Sequence, residues 1–175
     1  MRKLLPLVAF LAVLGWAQSA QAQYANKSIT IAPGYLFTDK GVGFDGAIPL
    51  YIGGSLYLEN GWELYTHFPI ARVRDQISNQ WVLGWGNHSG VRYLLQQDYL
   101  RPYVGVELAF LQILRDTTFG GSHTSVGPGA VAGVEYFVTE SVSVGVRAQM
   151  NVFLNLQLEA LFAYGGAATI GIWFN

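Results

Sequence analysis

The chain has 175 residues, no cysteine and a formal net charge of −1 at pH 7, with 12% of its residues charged, 51% hydrophobic and 14% aromatic. These values exclude disulfide and thiol chemistry, give no electrostatic case for binding nucleic acid, and leave room for one domain. Mean hydropathy is positive at +0.29, yet no stretch after the N-terminus is continuously apolar over the roughly 18 residues that a spanning helix needs.

Arg2 and Lys3 precede an apolar run from Leu4 to Trp16, and Ala20-Gln21-Ala22 places small residues at cleavage positions. Residues 1–22 therefore read as a secretory signal peptide cut before Gln23, with 23–175 as the mature domain. No cysteine follows the cut, which argues against a lipoprotein anchor.

Beyond that leader, strands are predicted at 28–38, 45–58, 61–73, 81–95, 99–114, 124–138, 142–153 and 157–174. Three connections are tight polar turns: Leu58-Glu59-Asn60, Gln96-Gln97-Asp98 and Thr139-Glu140-Ser141. Each is led by a glycine and, three residues later, a tyrosine: Gly54/Tyr57, Gly90/Tyr93 and Gly133/Tyr136. The remaining connections fall at 39–44, 74–80, 115–123 and 154–156. An even strand count, with alternate short and longer connections, is the pattern of an outer-membrane barrel, and each strand is long enough to cross a bilayer at a tilt.

Alternation is clearest from Ser125 to Met150. Val126, Pro128, Ala130, Ala132, Val134, Tyr136 and Val138 oppose Ser125, Gly127, Gly129, Val131, Gly133, Glu135 and Phe137; Val142, Val144, Val146, Ala148 and Met150 then oppose Ser143, Gly145, Arg147, Gln149 and Asn151. Strand side chains alternate faces, so one face is apolar and the other carries glycine, polar groups and charge. The same parity gathers Glu63 and His67 with Tyr65, His88 and Arg92 with Gly84, Gly86 and Gly90, and Arg101 and Glu107 with Tyr103 and Gly105; Glu135, Arg147 and Glu159 also fall on polar faces. A cationic side chain facing lipid near the midplane costs about 2–4 kcal/mol, which sets the charged face inward. Arg72 breaks the rule near the outer end of its strand, where it can snorkel; Asn87 and Ser89 also stand on the apolar parity.

The inverted alternative is a soluble periplasmic ligand-binding barrel, apolar inside and charged outside. Glycines on the charged parity favour the lipid-outside version, because small residues suit a crowded lumen. Tyr35, Phe37, Trp62, Trp81, Trp85, Tyr93, Tyr136, Trp173 and Phe174 lie at strand ends and read as interfacial girdles. The expected fold is an all-β, eight-stranded antiparallel up-and-down transmembrane β-barrel.

Arg101-Pro102-Tyr103-Val104-Gly105 opens one strand, and Gly127-Pro128-Gly129-Ala130-Val131-Ala132-Gly133-Val134-Glu135-Tyr136-Phe137-Val138-Thr139-Glu140 leads into Ser141-Val142-Ser143-Val144. These segments resemble the small outer-membrane barrels of the OmpW and opacity-protein type, most clearly over about 90–150. The resemblance implies a cell outer-membrane location of Gram-negative type, contact with outer-membrane lipids and lipopolysaccharide, insertion by the barrel-assembly machinery, and passage of small hydrophobic molecules through a lateral opening. The family's terminal aromatic corresponds here to Phe174, followed by Asn175.

Eight strands enclose a lumen that side chains can fill. The candidate lumen charge network is Glu63, Glu107, Glu135 and Glu159 against Arg92, Arg101 and Arg147, with the lumen histidines His67 and His88 facing each other across adjacent strands. The near balance of charge suggests an internal plug, since one buried charge left unpaired costs about 3–5 kcal/mol. An enzymatic alternative is a lipid A deacylase using a His-x-Ser pair: His123-Thr124-Ser125 has the letters on one strand face, but Val126 stands where that type has asparagine. The histidines show no ligand spacing for a metal, no cofactor motif is present, and a surface-interaction role is a further alternative. The expected protein is non-catalytic, either structural or a route for small solutes.

Overall fold

The computed structural model describes residues 26–39, 43–76, 78–114, 121–155 and 160–175. Residues 1–22, read above as a signal peptide, the 115–120 part of the longest connection and Glu159 lie outside them. The strands are β1 (Lys27–Thr38), β2 (Phe44–Tyr57), β3 (Trp62–Asp75), β4 (Trp81–Leu94), β5 (Leu100–Leu114), β6 (His123–Phe137), β7 (Val142–Asn155) and β8 (Ala160–Phe174). Each pairs antiparallel with its sequence neighbour, and β1 also pairs with β8, from Lys27↔Phe174 to Thr38↔Ala163. Closure removes the unpaired backbone groups that an open edge would present to hydrocarbon.

Strand boundaries follow the alternation to within a few residues. β3 runs two residues past the expected 73, because Val73 and Asp75 still pair with β2 across a bulge at Phe44/Gly46. All three tight turns lie at one end. In the first, Asn60 and Gly61 take φ of 61° and 84°, left-handed values that asparagine and glycine tolerate. In the third, Thr139 Oγ1 accepts hydrogen bonds from the amides of Ser141 and Val142 at 3.3 and 3.0 Å. A side-chain oxygen there supplies what a short turn lacks in backbone partners.

The parity places the carboxylates of Glu63, Glu107 and Glu135 inside the barrel, buried, and turns Val104, Val106, Leu108, Ile170 and Ile172 outward, with Val106 61% exposed. An inward-apolar barrel is thereby overturned. Tyr35, Phe37, Trp62, Trp81, Trp85, Tyr93, Tyr136 and Phe174 are exposed at the outer wall. Trp173 is not among them: an odd position on β8, it faces inward, 2% exposed, and its indole N–H donates to Ser143 Oγ at 2.9 Å.

Asn87 and Ser89 do face outward, and Thr66 on β3 explains how. Ser89 Oγ donates to Asn87 Oδ1 at 2.7 Å, Asn87 Nδ2 donates to Thr66 Oγ1 at 3.0 Å, and the two hydroxyls are 2.8 Å apart. Polar groups that satisfy one another on the wall avoid most of the desolvation cost of facing lipid alone.

Candidate functional site: a two-storey lumen

The lower storey, at the end of the tight turns, is ionic. Arg92 on β4 forms two parallel hydrogen bonds to Glu63 on β3, at 2.9 and 2.7 Å. The fork matches the carboxylate, which is the strong geometry for this pair. Its Nη2 also reaches Glu135 on β6 at 3.5 Å, and the guanidinium lies over the Tyr103 ring at 4.3 Å. Ser143 Oγ donates to Glu135 at 2.6 Å and is itself held by Trp173.

Glu107 anchors the level above. It accepts from Tyr65 Oη at 2.7 Å, Arg147 Nη2 at 3.1 Å, Asn151 Nδ2 at 2.8 Å and His88 Nδ1 at 2.9 Å. Four donors on one carboxylate satisfy nearly all its acceptor sites, which is what a buried carboxylate requires. Arg147 Nη1 donates to His67 Nδ1 at 2.9 Å; a guanidinium has only donors, so that nitrogen must accept. His67 and His88 are Cα partners across β3 and β4, yet one is bonded to Arg147 and the other to Glu107.

Of the residues singled out from the sequence, Glu63, Arg92, Glu107, Glu135, Arg147, His67 and His88 are brought together. Arg101 is not. It stands across from Glu135 in the register, but its Nε donates to the Asp98 carbonyl at 3.1 Å and its guanidinium stacks over Phe137 at 4.1 Å. The ring and the turn carbonyl hold it at the lower rim. Sequence reasoning missed the roles of Tyr51, Gln149 and Asn151. Gln149 donates to Tyr51 Oη at 2.6 Å, and Arg147 lies over the Tyr51 ring at 5.2 Å. Their inward parity was the available signal.

The upper storey is apolar. Leu36, Phe44, Val73, Ile113, Phe153 and Leu161 surround a cavity of about 30 Å³, with His88 at its floor. Its apolar lining makes it a dry gap rather than a hydrated channel. His123 and Ser125 also face inward at this level, His123 edge-on to Phe44 at 5.7 Å. Ser125 Oγ is buried without a hydrogen-bond partner among the described residues, so no base is set against it as acyl transfer would need. Nor do the described residues hold a group of three or more potential metal ligands.

The fold is the closed eight-stranded antiparallel up-and-down barrel, and solved outer-membrane barrels share it. Neisserial surface protein A (NspA) superposes with a TM-score of 0.70 at 15% identity, covering 85% of this chain and 97% of that one. The outer membrane protein OprG from Pseudomonas aeruginosa gives 0.59 at 10% identity, over 90% and 100% of the two chains. Ail, the attachment invasion locus protein of Yersinia pestis, gives 0.53 at 12%, over 86% and 99%. At these identities the likeness is one of fold. No protein-family model and no curated protein sequence matches the chain.

Proposed function

We propose that this is a non-catalytic integral outer-membrane barrel, related to the OmpW and opacity-protein type, that admits small apolar solutes to its upper lumen and blocks passage through its lower one. The carrying observation is the division of the lumen: an apolar cavity stands directly over a buried, hydrogen-bonded ionic plug. A solute entering from the outer end meets hydrocarbon-like walls and then a floor it cannot cross without breaking buried ion pairs.

Its exit is sideways. Pairing is interrupted, with the register unchanged on either side, at Ala32-Pro33 between β1 and β8, at Phe68-Pro69 between β3 and β4, and at Gly127-Pro128 between β6 and β7. Proline has no N–H to give the ladder, so the wall is least tightly laced beside the upper storey.

Gel mobility of boiled and unboiled outer-membrane fractions tests the location: a heat-dependent shift is expected. Liposomes carrying the purified protein test the activity. Sugars and ions should stay excluded while xenon is taken up at the cavity, and Ala163→Val, which fills the gap, should abolish that uptake. Free sugar flux would sink the plug. Xenon uptake unaffected by Ala163→Val would leave a purely structural barrel.

A further inference from the structure

The outer wall carries two arginines close together near the upper end of one strand. Arg72 and Arg74 both face outward near the upper end of β3, with buried Ala71, Val73 and Asp75 alternating inward. Trp62 marks the lower rim of the same strand. Ten residues at about 3.3 Å each, tilted near 40°, rise about 25 Å, the height of an outer-membrane barrel's apolar band. Arg72 therefore sits at the outer edge of that band, where lipid headgroups begin.

The two guanidiniums are differently held. Arg74 donates to Asn79 Oδ1 and lies over the Trp81 ring at 5.8 Å. Arg72 has Ile48 and Leu83 as its cross-strand neighbours, and among the described residues its guanidinium makes no hydrogen bond or ion pair. The carboxylates close by are engaged elsewhere. Asp75 points inward and accepts from the Ser78 amide and hydroxyl; Asp45, on the bulge beside Arg74, is bonded by Gln76 Nε2. The result is an exposed arginine with no ion pair among the described residues and an aromatic-braced one, two residues apart on one face, at the depth of lipid phosphates.

We propose that Arg72 and Arg74, beside Trp81, form a docking site for a phosphate of an outer-leaflet glycolipid of the lipid A type. Guanidinium forks match phosphate oxygens, the indole suits the interfacial zone, and Ile48, Ile70 and Leu83 below supply an apolar wall for acyl chains. The site rests on the outer-membrane reading above, since only that bilayer presents such a lipid at this height.

The experiment uses the purified barrel in phosphatidylethanolamine nanodiscs doped with lipid A, with lipid A stripped of both phosphates, or with phosphatidylglycerol. Lipid retained after detergent extraction is measured by mass spectrometry. Retention of lipid A should exceed that of the stripped form by about tenfold or more, as two charge-assisted hydrogen bonds allow, and Arg72→Gln/Arg74→Gln should erase the difference. Equal retention of lipid A and its stripped form by the unaltered protein overturns the proposal, whatever the variant does. So does a preference that survives the double substitution in a heat-modifiable barrel, or equal retention of phosphatidylglycerol. If the protein instead fractionates with the soluble periplasm, it is the outer-membrane reading that falls.

Discussion

The two storeys of the lumen share one backbone rule and opposite physics. Below, Glu107, Arg147, Glu63 and Arg92 are held by directional, charge-assisted bonds, each carboxylate answered by named donors. Above, Leu36, Phe44, Val73, Ile113 and Phe153 meet by shape alone, and a gap remains. A directional network tolerates no missing member, because the partner left behind stays buried and charged. A nondirectional packing loses only the area and contacts removed. The lower storey should therefore be brittle and the upper one adaptable, which suits a plug beneath a receptive cavity.

Breaking the lower storey should give the largest effect. Glu107→Ala strands Arg147 and removes the acceptor for Tyr65, His88 and Asn151; a loss of about 3–5 kcal/mol is expected, read from the urea midpoint of the heat-modifiable band. Next comes the register on which both storeys depend. Val106→Arg puts a cation on the lipid face and should cost about 2–4 kcal/mol if it lies near the midplane, seen as failed insertion into vesicles; normal assembly would mean the faces are reversed. Softer by far, Ile113→Val enlarges the upper cavity at about 0.5–1.5 kcal/mol and should leave insertion intact while strengthening uptake of bulkier apolar probes. Smallest is Ser125→Ala, which removes a hydroxyl without a described partner: stability should move by under about 1 kcal/mol, and lipid A acyl chains in cells overproducing either form should be identical.

One glycine sharpens the contrast further. Parity alone suggests that Gly129→Ser would merely crowd the lumen. A Cβ there would fall 2.0 Å from Asn151 Nδ2 and 2.9 Å from the Met150 carbonyl oxygen. Since Asn151 is a donor to Glu107, the substitution should displace a member of the plug.

Period-two alternation made the barrel and the lower storey legible, because charge is the least ambiguous label a strand face can carry. Glu63, Arg92, Glu107, Glu135 and Arg147 could be assigned inward from energetics alone. Arg101 has the same parity, yet Phe137 and the Asp98 carbonyl claim it, and such competition is set by distances that parity does not encode. The upper storey was hidden for a different reason. Along Ala109-Phe110-Leu111-Gln112-Ile113-Leu114 and Val152-Phe153-Leu154 both faces are largely apolar, so alternation loses its contrast where the cavity forms. Trp173 misled similarly: an aromatic at a strand end reads as a girdle residue until its odd position on β8 is matched with Ser143 and Phe137.

The pairing of Lys27 with Phe174 joins the first and last described strands. Such a contact spans nearly all of the described residues, so most of its loop entropy must be lost before the seam rewards it. Glu107 and Glu135, meanwhile, meet their cations two strands away only once the wall has curved round, whereas Glu63 finds Arg92 directly opposite on the next strand. The barrel consequently cannot close until its final strand is available, and losing β8 should leave an aggregation-prone sheet with two open edges rather than a smaller barrel.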